Sequence, residues 1–578
     1  MKTPKKKALL RFITTIVILI CLNIVSQKVF KRFDLTNDER YTLSETTHTI
    51  IDQVTEPLII DVFLEGNFPA EFKRLQLETK QLLEEFSAYN PNIKFNFTNP
   101  LEEEGKNETE VAQELFSLGL TPISVTVDDK GKQSQQMVFP WAIANYKDRS
   151  TKIQLLKNMM GASTQDKVVS SVQHLEYAVT EAINKITREK ARKIAVLKGN
   201  GELHDLQIYD FLKTIGESYR LAEFTLDSVA KDPIKTAAQL REYDLAVIAK
   251  PTKPFTDEQK QVLDQYMVYG GKTLWFVDAV KADFDSLHNE EAAFLAYPNK
   301  LDLDDLFFKY GFRLNPTMVK DEMATPIKLA VGEVGSKTQY EQYPWKLAPY
   351  VYPAKIYAKD TANVTPQSLT YHPIVKNIDG IKFDFTSPIE ILKSKHKKTV
   401  LLTSSQYSKP ISVPTTVSLD MANEEEPEPD EYKNGYIPLG LLIEGKFESA
   451  YKNRILPFKD STYKEESSKE GKMIIYSDGD LIKNQIDQNF KPRELGYDYF
   501  TGILYGNKDL VLNSVNYLLD DVGLLNIRSK DVNLPLLDKE RVYRDYTSIQ
   551  IKTLSIPIVL ILIFGGIFIW MRKKIYAK

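Results

Sequence analysis

From Thr553 to Met571 the chain carries no charged residue, and that run limits where everything else can be. At about 1.5 Å per helical residue it crosses most of a roughly 30 Å hydrocarbon layer. Lys552 precedes it, Arg572, Lys573 and Lys574 follow it, and Trp570 lies near one end, where an amphipathic ring favours the interface. Pro557 falls in the first turn, where a missing amide costs little. The core helix of a large soluble protein is the bland alternative, but such a helix is seldom apolar on every face and followed by a basic tail. The run predicts a membrane span.

A second uncharged run, Phe12 to Gln27, follows Lys2, Lys5, Lys6, Lys7 and Arg11. A cleaved signal peptide needs a small-x-small pair after its apolar core, and Leu22-Asn23-Ile24-Val25-Ser26-Gln27 offers none. The bulky Ile20 before Cys21 argues against a lipoprotein site. An uncleaved first span is therefore expected. Two spans put both termini on one side, and the basic clusters place that side in the cytoplasm, although Lys28, Lys31 and Arg32 lie on the opposite flank. Everything between about residues 30 and 550 is then expected to form one large extracytoplasmic body.

That body is soluble material: net charge is -3, with 26% charged and 43% hydrophobic residues, and no basic excess marks a nucleic-acid binder. Cys21, the single cysteine, sits inside the first run, so the body has neither a disulfide nor a thiol nucleophile.

Periodicity divides the body in two. Leu58 to Leu64 reads as a strand, Phe72, Leu75, Leu82, Phe86 and Tyr89 recur at helical spacing, and Ile93, Phe95 and Phe97 alternate as a strand does. Ile123 to Val127 and Gln136 to Phe139 flank Asp129-Lys130-Gly131 as a hairpin. Strand, helix, strand, hairpin is the order of a thioredoxin-like domain, here without the Cys-x-x-Cys needed for redox work. Upstream, Thr42 or Ser44 is placed to cap a helix from Glu45 to Gln53. An apolar stripe from Val168 to Ile186 predicts one long connecting helix, Lys167 to Glu189.

Beyond it, strands at Lys193 to Leu197, Asp244 to Ala249 and Thr273 to Val277 alternate with helices at Leu206 to Tyr219 and from Thr256 to Tyr269. That alternation predicts a parallel, doubly wound, Rossmann-like sheet, extended by Thr399 to Thr403, Met473 to Ser477 and the helix Leu510 to Leu519. Glu424 to Glu431 reads as a solvated acidic loop. The expected fold class is α/β. Its divisions are 1–31 (basic tail and first span), 32–165 (juxtamembrane segment and thioredoxin-like domain), 166–190 (connecting helix), 191–530 (Rossmann-like domain), 531–552 (linker) and 553–578 (second span and tail).

Motifs with chemistry are few. Gly270-Gly271-Lys272-Thr273 has the ending of a phosphate-binding loop, but the first glycine is replaced by Tyr266 and a helix precedes where a strand is required, so it reads as a helix C-cap. Gly199-Asn200-Gly201-Glu202 ends the first strand of the sheet, at the edge where doubly wound sheets bind ligands. A tight strand-to-helix turn accounts for its glycines equally well. Asp278, Asp478 and Asp480 also follow apolar strands, where gathered carboxylates hold a cation or simply close turns. His48, His174, His204, His288, His372 and His396 show no metal spacing, and no Gly-x-Ser-x-Gly elbow supplies a nucleophile. These readings predict no metal, no cofactor and no catalytic residue. The ligand-binding candidates are Gly199, Asn200, Gly201, Glu202, Asp278, Asp478 and Asp480.

The segments RFDLTNDERYTLSE, GNGE, LDDLFFKYGFRLNPTMVKD, HPIVKNIDG, LLIEGKFESAYKNR, IIYSDGDLIKNQ and NSVNYLLDD together resemble the gliding-motility-associated ABC-transporter auxiliary proteins of the Gld system. The turn departs from that family's Gly-His-Gly-Glu at Asn200. The resemblance implies a Rossmann-like domain related to one in intraflagellar-transport proteins. It also implies a polytopic permease and a cytosolic ATPase as partners, and a non-catalytic, substrate-binding-like role in gliding with the transported substrate unknown. A glycan-directed hydrolase using the sheet-edge carboxylates and a purely mechanical scaffold are the competing classes.

Overall fold

The computed structural model describes residues 12–20, 34, 40, 42–66, 68–102, 107–129, 132–159, 161–335, 337–353, 355–356, 370–423, 432, 435–530 and 539–576. Cys21, the basic flanks of the first uncharged run, most of the juxtamembrane segment, the Lys130-Gly131 turn and the acidic loop 424–431 lie outside the described residues.

The large sheet is built from β1 (Lys193–Lys198), β2 (Arg220–Thr225), β3 (Leu245–Ala249), β4 (Lys272–Phe276), β5 (Ala324–Val334), β6 (Lys337–Pro353), β7 (Lys397–Thr403), β8 (Pro438–Gly445) and β9 (Gly471–Tyr476). Five strands run parallel in the order β2, β1, β3, β4, β9. The sheet then continues antiparallel through β8, β7, β6 and β5. Alternation decides the two faces. Ile194 and Val196 of β1 join Leu245 and Val247 of β3 in one core with helices Tyr209–Gly216 and Asn507–Leu519. Ala195, Leu197, Ala246 and Ile248 face the other, with helices Pro233–Leu240 and Asp257–Val268. Burial on both faces explains the unbroken apolar run of β3, since each fully buried aliphatic side chain contributes about 1.5–3 kcal/mol.

The expected alternation is therefore present, with two corrections. The sheet is mixed rather than wholly parallel: the strand read at Thr399 to Thr403 belongs to the antiparallel half, because β7 pairs only with antiparallel neighbours. The polar edge strand β2, Arg-Leu-Ala-Glu-Phe-Thr, was not anticipated; half-exposed, it lacks the apolar continuity of its neighbours. Thr256 and Gln259 form a reciprocal cap at the start of helix Asp257–Val268. Gly270 closes that helix with a positive φ of 90° before β4 begins, so the glycine–lysine turn is a C-cap.

The N-terminal domain holds a four-stranded sheet in the order Ile93–Phe97, Leu58–Val62, Trp141–Tyr146, Arg149–Gln154, with the first pair parallel and the others antiparallel. Helix Ala70–Tyr89 connects the parallel pair. The hairpin Ile123–Asp129 with Lys132–Val138 exists, but it pairs only with itself, and the sheet is completed by the next hairpin instead. Alternating burial of Ala142, Ala144 and Tyr146 draws that second hairpin into the sheet. Ser44, not Thr42, caps helix Glu45–Ile51 by accepting from the Thr47 amide at 3.2 Å.

The connecting helix, Thr164–Thr187, ties the two ends of this unit together. Glu176 on it accepts from the Ser44 amide at 2.7 Å, the Thr47 hydroxyl at 2.8 Å and the Lys530 ammonium at 3.2 Å, and Lys530 also donates to the Thr42 carbonyl at 2.7 Å. The buried carboxylate is thus fully committed to fixing the chain at its entry and exit.

A second compact unit runs from Val532 to Lys578, and its described residues form one helix, Lys539–Tyr576, with Pro557 inside it. Among the described residues its stretch Val542–Lys574 is the one helix long and apolar enough to cross a membrane, and none of its most apolar window is buried in protein. Of the first uncharged run, residues 12–20 are helical and exposed, and the remainder lies outside the described residues.

Candidate functional site

Three loops leave the carboxyl ends of the parallel strands and meet around one ammonium. Lys250 follows β3 directly, Asp278 lies two residues after β4, and Asp478 and Asp480 follow β9. The Lys250 Nζ lies 2.5 Å from Asp480 Oδ2 and 3.5 Å from both Asp278 Oδ2 and Asp283 Oδ2. Lys250 is 8% exposed and takes a left-handed φ of 54°, a conformation that a packed neighbourhood must hold in place. Gly479 permits the approach, because a Cβ there would meet Lys250 Cγ at 2.5 Å.

The carboxylates are placed by backbone amides. Asp278 Oδ1 accepts from the Gly479 amide, while Asp478 accepts from the Asp480 amide at 2.7 Å and from the Asp384 amide at 2.6 Å. Burial pushes Asp278 up to about 6, against the pull of Lys250. Burial, then the neighbouring Asp278 and Asp480 charges, push Asp478 well above the ordinary carboxylate range. Burial also acts on Asp480, but Lys250 and Lys483 overcome it and hold that carboxyl below its usual value. Lys250 loses hydration on burial, yet its three carboxylates raise it well above an ordinary lysine. The cluster thus favours charge on Lys250 and Asp480 and disfavours it on Asp478.

Asp480 reaches from this cluster into a cavity of about 540 Å³ between the carboxyl edge of the sheet, the β5 strand and the loop after Lys483. Such a volume suits a small ligand. Lys483 lines it, 3.5 Å from Asp480 and 3.7 and 3.9 Å from Asp283 and Asp285. So does Lys382, 3.3 Å from Asp498 and 3.8 Å from Asp384. Burial pushes Asp384 up. Phe284, Tyr497, Tyr499 and Phe500 supply aromatic surface, and Tyr499 and Phe500 remain 47% and 52% exposed.

The glycine turn is a separate structure. Asn200 donates through Nδ2 to the Pro254 carbonyl at 3.1 Å and to Gln259 Oε1 at 3.0 Å, and its own amide donates to Glu202 Oε2 at 2.8 Å. Gly201 has φ 74°, and a Cβ there would meet Thr252 Oγ1 at 2.2 Å. Asn200 and Glu202 are 2% and 7% exposed, and burial pushes the Glu202 carboxyl up. Gly199, Asn200, Gly201 and Glu202 are absent from the cavity wall. Their contacts hold a tight strand-to-helix turn, in which Asn200 Oδ1 and Glu202 Oε1 are buried without a hydrogen-bond partner among the described residues.

Residues 191–514, more than half of the 578, match the auxiliary-component family described as an ABC-type uncharacterized transport system. The chain belongs to that family. Residues 37–145 of this ABC-transporter auxiliary protein also match a domain of unknown function. A protein of Borreliella burgdorferi (strain B31), carried under the name "Uncharacterized protein", is 22% identical over 577 residues, covering 97% of each chain. Among solved structures, "mmIFT52 N-terminal domain" shares 12% identity, covers 59% of this chain and 100% of its own, and superposes with a TM-score of 0.31.

Of the residues singled out from the sequence, the fold of the auxiliary protein brings Asp278, Asp478 and Asp480 together and leaves the glycine turn apart. Lys250, Lys382, Lys483, Asp283, Asp384 and Asp498 were missed. Lys250 did carry a signal, since it follows a buried strand directly, as the aspartates nearly do. Lys382 and Asp384 carried none, because only the pairing of Ile381–Lys382 with β6 brings them to the cavity. Among the described residues no group of three or more His, Cys, Asp or Glu is arranged to hold a metal ion.

Proposed function

We propose that the protein is a non-catalytic, membrane-anchored auxiliary subunit of an ABC-type transport complex, with a substrate-binding-like body working beside a polytopic permease and a cytosolic ATPase. The observation that carries this reading is the family match over residues 191–514. Two further features support it. Helix Val542–Lys574 contains the uncharged apolar run Thr553 to Met571, as an anchor must, and a ligand-sized cavity opens at the carboxyl edge of the parallel strands. The parallel order β2, β1, β3, β4, β9 supports a Rossmann-like reading of the larger domain, and a parallel pair flanked by a hairpin supports a thioredoxin-like reading of the smaller one. A non-catalytic role is supported by the engagement of Asp278 with Lys250 and the Gly479 amide and of Asp478 with two backbone amides.

The finer form of the proposal has two spans, both termini cytoplasmic, residues 32–550 periplasmic and a role in surface gliding. Uncharged runs with basic outer flanks support the topology, and the segments RFDLTNDERYTLSE and IIYSDGDLIKNQ support the gliding assignment. Affinity isolation of the tagged full chain from cross-linked membranes tests the core claim. The expected result is co-isolation of one permease and one nucleotide-binding subunit. A chain that fractionates without membrane, or that isolates alone after cross-linking, overturns it.

A further inference from the structure

We propose that the cavity beside Asp480 takes an organic cation, a primary ammonium or guanidinium group carried on an alkyl stem. This rests on the substrate-binding reading above and names the ligand class for that same site.

Charge is the first reason. The wall holds Asp283, Asp285, Asp384, Asp480 and Asp498 against only Lys328, Lys382 and Lys483. The latter two lysines are already shared: Lys483 faces three carboxylates within 3.9 Å and Lys382 faces two within 3.8 Å. Behind the wall Lys250 is likewise divided among three. Lys250 and Lys483 share Asp283 and Asp480, but the five carboxylates of the wall still outnumber its three lysines, so the cavity keeps a net negative field that low-dielectric walls concentrate.

The second reason is an oxygen with acceptor capacity to spare. Among the described residues, Asp480 Oδ1 is buried and faces only the Lys483 ammonium at 3.5 Å, an ion pair too long for a good hydrogen bond, so an N–H brought into the cavity would find an acceptor there. The third reason is the rim. Tyr499 and Phe500 offer exposed faces to a cation, and Tyr499 already receives the Arg493 guanidinium 5.8 Å from its centroid. Ile327 and Leu329 from β5 supply apolar wall for the stem.

Calorimetric titration of the full-length protein in detergent tests this with cadaverine, standing for a free alkylamine, and Nα-acetyl-lysine amide, standing for the lysine of a peptide. Neutral 1,5-pentanediol and anionic citrate are the controls. At least one ammonium probe is expected to bind with Kd below about 1 mM, more weakly at high salt, and the stronger of the two identifies the source. Asp285→Asn, which removes one largely exposed wall charge, should weaken that binding about fivefold, and Lys328→Glu should tighten it by a similar factor. Binding of pentanediol or citrate as tight as the ammonium probes overturns the proposal, as does unchanged affinity in Asp285→Asn. Absent cation binding by a chain that still co-isolates with permease and ATPase overturns the ligand class alone. Cation binding by a chain that co-isolates with neither keeps the ligand class and overturns the auxiliary-subunit reading.

Discussion

Lys250→Met removes the charge at the centre of the cluster while keeping the length and much of the volume of the stem. The wild-type ammonium has two carboxylates at 3.5 Å and one at 2.5 Å, and is itself 8% exposed. At an effective dielectric of about 20, each 3.5 Å pair is a gross attraction of about 5 kcal/mol, most of it offset by the lost hydration of the partners. Breaking a buried pair by deleting one partner costs about 3–5 kcal/mol, because the remaining charges stay buried without compensation. Methionine should therefore lower stability by about that amount at pH 8. The loss must also depend on pH. Asp278 stands at about 6 with Lys250 present and would ionise still less readily without it, whereas an unfolded aspartate ionises near 3.9. Between those values the native variant holds protons that the unfolded chain has released, so its stability falls as pH rises. At pH 5 the carboxyls can protonate, and the methionine penalty should shrink. Urea unfolding followed by intrinsic tryptophan fluorescence, to which Trp275, buried in the core beside this sheet edge, contributes, reads both effects. A penalty below about 1 kcal/mol at pH 8, or one larger at pH 5 than at pH 8, would falsify the account of a desolvated, lysine-centred cluster.

Two other perturbations probe the same fold. His372 is buried against Tyr517, its Nδ1 accepts from the Ile374 amide at 3.3 Å, and burial lowers it to about 4. A histidine that stays neutral in the native state contributes no penalty above about 6.5, then costs up to about 3 kcal/mol as pH falls toward 4. Unfolding midpoints of His372→Asn should be flatter than wild type over that window, and an equal slope in both proteins would exclude His372 as the source. Gly201→Ala forces a Cβ to 2.2 Å from Thr252 Oγ1 at a φ of 74° and should cost about 1–3 kcal/mol in thermal unfolding, part of it recovered by adding Thr252→Ala. A neutral Gly201→Ala would mean that the turn relaxes and its glycines are not needed for shape.

What the amino-acid sequence determined by itself was local or repetitive. Nineteen uncharged residues from Thr553 to Met571 can do little but form an apolar helix. The continuous apolar runs of β1, β3 and β4 can satisfy their backbone and bury both faces only inside a sheet covered on both sides. The capping box at Thr256 and the glycine stop at Gly270 are likewise chemistry between near neighbours. Tertiary structure decided everything that depends on register and crossing. The hairpin 123–138 and the hairpin 141–154 are comparable by local pattern, and only pairing with Leu58–Val62 selects the second. The same holds at the site: Asp278, Asp478 and Asp480 were visible because each follows an apolar strand, but Lys250, Lys382 and Lys483 acquired their meaning when strands far apart in the chain converged. A carboxylate's charge is a property of its residue type. Whether it is neutralised depends on which ammonium the fold carries to within 4 Å, and no local pattern encodes that distance.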